Sequence, residues 1–362
     1  MFYHIFYPLA KYSIIFNLFR YITFRTMYAS VTSFVLTVIF LPIFIRRVKK
    51  IGLKEKIYKY APESHKAKEG TPTGGGIVFV TSVIIATLLW ANLTNLFIYT
   101  ALIVTVYLGI FGFVDDYTKL HGTSKRRGLP AWIKLLGHFI LSVFVLFMMY
   151  KIFPPAIRTK TQFLVFKNFF IDFGWAYILF VMLVFIGSTN SVNLTDGLDG
   201  LAAGASIPTL GVFLIVAYIT GNKILSSYLH ILFISGAGEL SIFIGSFMGA
   251  LLGFLWFNAH PADIFMGDTG SQAIGGALGI VSILTKQEFL LAIAGFLFVM
   301  EALSVIIQVT YFKYSGGKRI FLKSPLHHHF EELGWSENKI VVRFWIISAI
   351  FAVIAISTLK IR

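Results

Sequence analysis

Residues 174–219 read GWAYILFVMLVFIGSTNSVNLTDGLDGLAAGASIPTLGVFLIVAYI. Two apolar runs, 174–189 and 201–219, approach the ~20 residues that a helix needs to cross a bilayer. Between them lies Gly187–Leu201, a stretch with two aspartates and two asparagines that neither lipid nor an ordinary connecting loop calls for. Asn190, Asn193, Asp196 and Asp199 recur at every third position. Gly197 and Gly200 free the backbone to approach a ligand closely. The stretch is therefore a polar site held between two membrane spans.

The same pattern extends outward in both directions. About ten runs are long and apolar enough to be spans: 27–45, 75–91, 96–114, 132–150, 174–189, 201–219, 240–257, 273–285, 289–311 and 341–359. The eighth, AIGGALGIVSIL, is rich in Gly and Ala, which suits close helix packing. Composition agrees: 57% of the 362 residues are hydrophobic and only 13% charged, against roughly a quarter charged in a globular chain. Mean hydropathy is +0.80. The fold class is an all-α polytopic integral membrane protein. Residues 1–26, interrupted by Lys11, Arg20 and Arg25, read as an interfacial segment, and 27–362 as a single transmembrane domain, since no connection is long enough for a separate soluble one. The segment 151–173, with Pro154 and Pro155, predicts a short surface hairpin. No cleavable leader is evident.

Charge sets the orientation. The connections after the odd-numbered spans hold 18 of the 31 Lys and Arg, and the opposite face with both termini holds 11. The positive-inside rule puts the first face in the cytoplasm and both termini outside. That face also carries twelve of sixteen acidic residues and six of nine histidines. The net charge of +15 fits basic loops against anionic lipid, and not a nucleic-acid partner. With no cysteine, disulfides and thiolate metal sites are excluded.

Several constellations on that face carry chemistry. Asp115 and Asp116 end the third run in FGFVDDYTKLHG; such a pair is either a solvated helix end or an oxygen-rich site for Mg²⁺. Lys119, one turn on, suits a phosphate or a helix C-terminus. Asp268, in NAHPADIFMGDTGSQAIGG, is both an N-cap candidate and the start of a helix whose free N–H groups attract phosphate. The loop HKAKEGTPTGGG, 65–76, places Lys68 and Thr73 before glycines that can cradle phosphate. His327, His328 and His329 offer phosphate contacts or acid–base groups near neutral pH, with Lys339 and Arg343 adding positive charge. Glu301 and Gln308 share one helical face, where Glu301 serves either a neighbouring helix or a substrate. Carboxylates, amides, imidazoles and glycines gathered at one membrane face suit metal-assisted phosphoryl transfer to a lipid.

FVDD with its lysine, NSVNLTDGLDGLA, NAHPADIFMGDTGS and SPLHHHFEELGWSE together resemble the polyprenyl-phosphate N-acetylhexosamine-1-phosphate transferases, and among them the phospho-N-acetylmuramoyl-pentapeptide transferases. The likeness runs in order from residue 50 onward. It implies ten helices, a cytoplasmic active site in the bacterial cytoplasmic (inner) membrane, and Mg²⁺ as cofactor. It also implies transfer from UDP-MurNAc-pentapeptide to undecaprenyl phosphate, giving lipid I and UMP in peptidoglycan synthesis. Carried over by motif, Asp115, Asp116 and Asp268 form the catalytic and metal-binding acidic triad, Asp268 foremost. Asn193, Asp196 and Asp199 line the nucleotide end, with Phe265 stacking on uracil and Gln308 nearby. Lys68 and Thr73 approach the diphosphate, and His327 and His328 the phosphate or sugar. The resemblance further implies a homodimer and a membrane-lipid groove beside the ninth helix. One departure is Gly74, where these enzymes carry Met.

Either Asp115 deprotonates the lipid phosphate or an aspartate forms a covalent intermediate; both steps remain open. The nearest rival is a sister transferase of N-acetylglucosamine-1-phosphate. A cation-coupled transporter would place its ionisable groups near the bilayer midplane, where only Glu301 lies.

Overall fold

A helix satisfies every backbone N–H and C=O within its own segment, so apolar runs bound for lipid fold as helices. The computed structural model describes residues 1–51, 70–121, 128–163, 166 and 169–361. In chain order its helices are α1 (Phe2–Phe6), α2 (Ile22–Ile51), α3 (Gly76–Trp90), α4 (Leu96–His121), α5 (Ala131–Ile152), α6 (Tyr177–Thr195) and α7 (Leu201–Thr220). They continue with α8 (Lys223–Tyr228), α9 (Leu240–Asn258), α10 (Gly267–Leu284), α11 (Glu288–Ala294), α12 (Phe296–Tyr314), α13 (Leu326–Glu332) and α14 (Glu337–Ile361). Among the described residues, eight helices are long and apolar enough to cross a membrane: α2, α4, α5, α6, α7, α9, α12 and α14. The chain is a multi-pass, all-α membrane protein. Helices α3 and α10 form where spans were expected but are not among the eight.

The bundle is organised around α10. Every one of its residues from Asp268 to Leu284 is buried, and small residues make that possible. A Cβ on Gly275 would lie 2.5 Å from Thr189 Cα in α6, and one on Gly112 of α4 would lie 2.3 Å from the Asp268 carbonyl oxygen. The backbones of α4 and α6 therefore touch α10 directly, as the Gly-rich run predicted.

Three local expectations shift. Helix α2 begins at Ile22, ahead of the position 27 drawn from sequence, because Arg25 is paired and not solvated. Its guanidinium donates to both Glu239 carboxylate oxygens, at 2.8 and 2.5 Å, in a buried site. The span expected over 289–311 is broken at Gly295, between α11 and α12. The polar stretch Gly187–Leu201 is not all loop: α6 runs on to Thr195. Its hydroxyls return to the helix, Thr189 to the Phe185 carbonyl (2.7 Å) and Thr195 to that of Ser191 (2.7 Å). Such back-bonding gives buried hydroxyls an acceptor within their own helix, at the cost of sharing its carbonyls. The hairpin in 151–173 is present as β1 (Lys160–Gln162) and β2 (Phe170–Asp172), antiparallel with Thr161 opposite Ile171.

Candidate active site

Helices α4, α6 and α10 bring their polar ends to one place. The end of α4 carries Asp115 and Asp116, the end of α6 carries Asn193, and the start of α10 carries Asp268. Asp116 accepts from the Asp268 N–H (2.9 Å), the Thr269 N–H (3.0 Å) and the Thr269 hydroxyl (3.0 Å). It is thus the N-terminal cap of α10 supplied from another helix, and its charge suits the positive end of that helix. With α10 so held, Asp268 turns its Oδ1 to the Asn193 amide (2.9 Å) and its Oδ2 to Lys119 Nζ (2.5 Å). The same Asn193 amide also donates to the Ser271 hydroxyl at 2.9 Å.

Asp115 is buried, and accepts from the Leu129 N–H (2.6 Å) and from Lys134 Nζ (2.7 Å). Lys119 Nζ lies 3.1 Å from Asp115 Oδ2 as well as 2.5 Å from Asp268 Oδ2. One ammonium therefore sits between two carboxylates from different helices. Its side chain is 40% exposed and that of Lys134 33%, so both ammonium groups are partly open among the described residues. Burial pushes the Asp268 carboxyl up to about 6, with Asp115 adding to the shift and Lys119 opposing it. A buried carboxyl of this kind is held in its charged form by a cation.

The loop 71–76 closes one side. Phe265 N–H donates to the Pro72 carbonyl (2.9 Å), and Gly75 N–H returns to the Phe265 carbonyl (2.9 Å). Gly74 adopts φ +91°, a conformation open to glycine and costly for the Met expected there. Thr73 lies beside Gly267, where an added Cβ would be 3.4 Å from its hydroxyl and 2.8 Å from Asp116 Oδ2. Lys68 falls outside the described residues.

The turn after α6 forms a second group. Asp199 Oδ2 lies 3.0 Å from His260 Nδ1 and accepts from the Ala262 N–H at 3.1 Å, while Asp199 N–H donates to Glu337 Oε1 at 2.7 Å. Asp199, His260 and Glu337 offer ligand atoms within 4.8 Å of one another. Asn258 joins them, accepting from the Gly200 N–H (3.0 Å) and donating to the Ile264 carbonyl (2.8 Å). Asp196 caps the end of α6 and is half-buried.

His327 is fully buried, with its ring against Gly197. Gln308 gives its amide to the backbone: its oxygen accepts from the N–H groups of Ile320 (3.1 Å) and Phe321 (3.0 Å), and its nitrogen donates to the Phe321 carbonyl (3.1 Å). Those bonds satisfy the buried amide. His328 pairs with Glu331 at 2.6 Å. Lys339 and Arg343 lie over the Trp335 ring at 5.0 and 4.3 Å. The residues that sequence reasoning left unassigned are Lys134, Ser271, His260, Asn258 and Glu337. Of these, Asn258 and His260 stand inside the NAHPAD motif and carried a signal; Lys134, at the start of an apolar helix, carried none.

An apolar helical bundle thus carries a cluster of carboxylates and partly exposed ammonium groups where α4, α6 and α10 meet. A family model for glycosyl transferase family 4 matches residues 98–286, more than half of the chain and the part that contains all three aspartates. The phospho-N-acetylmuramoyl-pentapeptide-transferase of Desulfotalea psychrophila is 50% identical over the whole of both chains. Those of Maridesulfovibrio salexigens and Syntrophus aciditrophicus are 48% and 47% identical, also end to end. The chain belongs to glycosyl transferase family 4, among the phospho-N-acetylmuramoyl-pentapeptide-transferases.

Proposed function

We propose that the Asp115–Lys119–Asp268 cluster is where phospho-MurNAc-pentapeptide passes from its UDP carrier to undecaprenyl phosphate. The transferase activity follows from the family; the substrates in full, the metal and the residue roles are this proposal. The observation that carries it is the Lys119 ammonium held between carboxylates of two helices. Asp115 and Asp268 would hold Mg²⁺, since carboxylates with water and substrate phosphate are the donor set it prefers. When bound there, Mg²⁺ would neutralise diphosphate charge and make the sugar-bearing phosphorus more electrophilic.

The chain's own residues do the rest. Asp116 fixes the start of α10, Asn193 orients the Asp268 carboxylate, and Lys119 and Lys134 move between carboxylates and substrate phosphates. An oxygen of the lipid phosphate attacks the phosphorus that bears the sugar. The bond between that phosphorus and the oxygen bridging to the uridine phosphate breaks, and UMP leaves with the electron pair. Asp115, beside Lys134, is placed to take any proton from the lipid phosphate. Asp196 and Asp199 line the nucleotide end with Phe265, and Thr73 stands at the diphosphate. His328 borders the sugar side. A cleft of about 260 Å³, lined by Leu183 and Gly187 of α6, Leu291 of α11 and Phe298 and Leu303 of α12, supports a lipid path beside the broken span. A homodimer in the bacterial inner membrane belongs to the same reading.

The test is a reconstitution with purified full-length protein in detergent. UMP and a lipid-linked MurNAc-pentapeptide should form from UDP-MurNAc-pentapeptide and undecaprenyl phosphate, stop on chelation and return with Mg²⁺. Equal or better turnover of UDP-N-acetylglucosamine would replace this assignment with the sister activity.

A further inference from the structure

His327 is the one ionisable side chain of the histidine run that is fully buried, and the chemistry above does not use it. Its position is over-determined. Its backbone N–H donates to Glu301 Oε1 at 3.2 Å, and its Nδ1 lies 3.4 Å from Glu301 Oε2. Glu301 is itself fully buried in α12. Neither ring nitrogen of His327 makes a hydrogen bond, which is costly for a buried imidazole and is tolerated where packing demands the ring. The ring is pressed against the turn between α6 and α7. A Cβ on Gly197 would lie 2.3 Å from Nε2, 2.8 Å from Cε1 and 3.3 Å from Cδ2. No side chain fits at 197 while the imidazole is present.

We infer that His327 is a positioning residue: its ring is the platform under Gly197 that sets the height of the 196–200 turn, and through it the grip on the nucleotide. The turn is held from two sides by elements far along the chain. Glu337, the first residue of α14, accepts from the Asp199 N–H, and His327, near the start of α13, bears on Gly197. Gly200, at φ +75°, ends the turn and launches α7. Asp196 and Asp199 both project from this short span, so a change in its height moves both. Helix α12 meets His327 through Glu301. This inference rests on the reading that the turn lines the nucleotide.

A compensation experiment separates this from a contact with the reacting phosphates. Gly197→Ala should raise KM for the UDP-linked substrate by about tenfold, the scale of an ordinary overpacking penalty, with kcat within about threefold. His327→Ala should raise KM severalfold and leave kcat similarly intact. The double replacement should bind UMP more tightly than Gly197→Ala alone, because the new methyl then occupies space that the imidazole vacated. A rescue of this kind also shows that the proteins fold. If the two effects simply multiply, or if His327→Ala lowers kcat at unchanged KM, the platform role is wrong. Asp199→Asn in the same UMP-binding assay tells the two ideas apart. Weakened binding there, without rescue in the double variant, overturns the platform alone. Binding unmoved by any of the four proteins overturns the nucleotide wall and the platform with it.

Discussion

Helices α6 and α10 carry a polar cluster at each end, made of the same residue types and built to opposite specifications. At one end Asp268, Asp115, Lys119 and Lys134 meet with both ammonium groups partly exposed. At the other, Lys286, Glu288, Tyr177 and Thr161 are all buried. There the Tyr177 hydroxyl donates to Glu288 Oε1 at 2.5 Å and the Thr161 hydroxyl donates to Oε2. Lys286 Nζ donates to the Arg158 carbonyl at 2.7 Å and the Tyr177 hydroxyl at 3.2 Å, over the rings of Phe153 and Tyr177. Burial pushes Lys286 down to about 8 and Glu288 up. Among the described residues, the closed cluster pairs the Glu288 carboxylate and the Lys286 ammonium with buried partners from the hairpin and α6. The open one pairs its carboxylates with ammonium groups that are partly exposed.

The sharpest way to break this contrast is at Asp268. Asp268→Asn keeps the contact to Asn193 but removes the charge, and UMP release should fall on the order of a thousandfold while the protein elutes as a folded species. Turnover within tenfold of the parent would place the chemistry elsewhere. The counterpart at the closed end is Glu288→Ala. It leaves Lys286 buried without its countercharge and two hydroxyls without an acceptor, a loss of about 3–5 kcal/mol. Thermal unfolding in detergent should show it, with kcat of the folded protein within about twofold. A kcat that collapses with stability intact would mean that the ends are coupled. The smallest effect belongs to Asp116→Asn, which weakens the cap of α10 by about 1–2 kcal/mol and lowers turnover by about tenfold through the aim of Asp268. A variant without activity but with unchanged stability would make Asp116 a direct metal ligand instead.

The open cluster was largely legible in sequence because acidic residues at the ends of apolar runs are expensive and visible. Asp115, Asp116 and Asp268 were candidates on that ground, each with a solvated helix end or a cap as the alternative, and the resemblance joined them. What no spacing revealed is how they divide the work: that Asp116 faces the α10 backbone while Asp115 faces Lys134 depends on the crossing of α4 and α10 at Gly112. The closed cluster was invisible for the opposite reason. Lys286 and Glu288 sit at a short connection, where charges read as solvated, and the hairpin together with Phe153 and Tyr177 takes them out of water. His327 and Gln308 were given to the substrate by the resemblance; what spacing does not reveal is that His327 packs against Gly197 and that Gln308 bonds the backbone of Ile320 and Phe321. The break at Gly295 was hidden by continuous apolarity on both sides.

The burial of α10 from Asp268 onward has a consequence for measurement. Its amide protons have no local route to solvent, so their exchange reports the opening of the whole molecule. Exchange at Ile274–Ile283 should therefore be the slowest in the chain, and any ligand that binds only the folded state should slow it in proportion to its affinity and concentration. One helix thus serves as an internal gauge of occupancy for a site that it only begins.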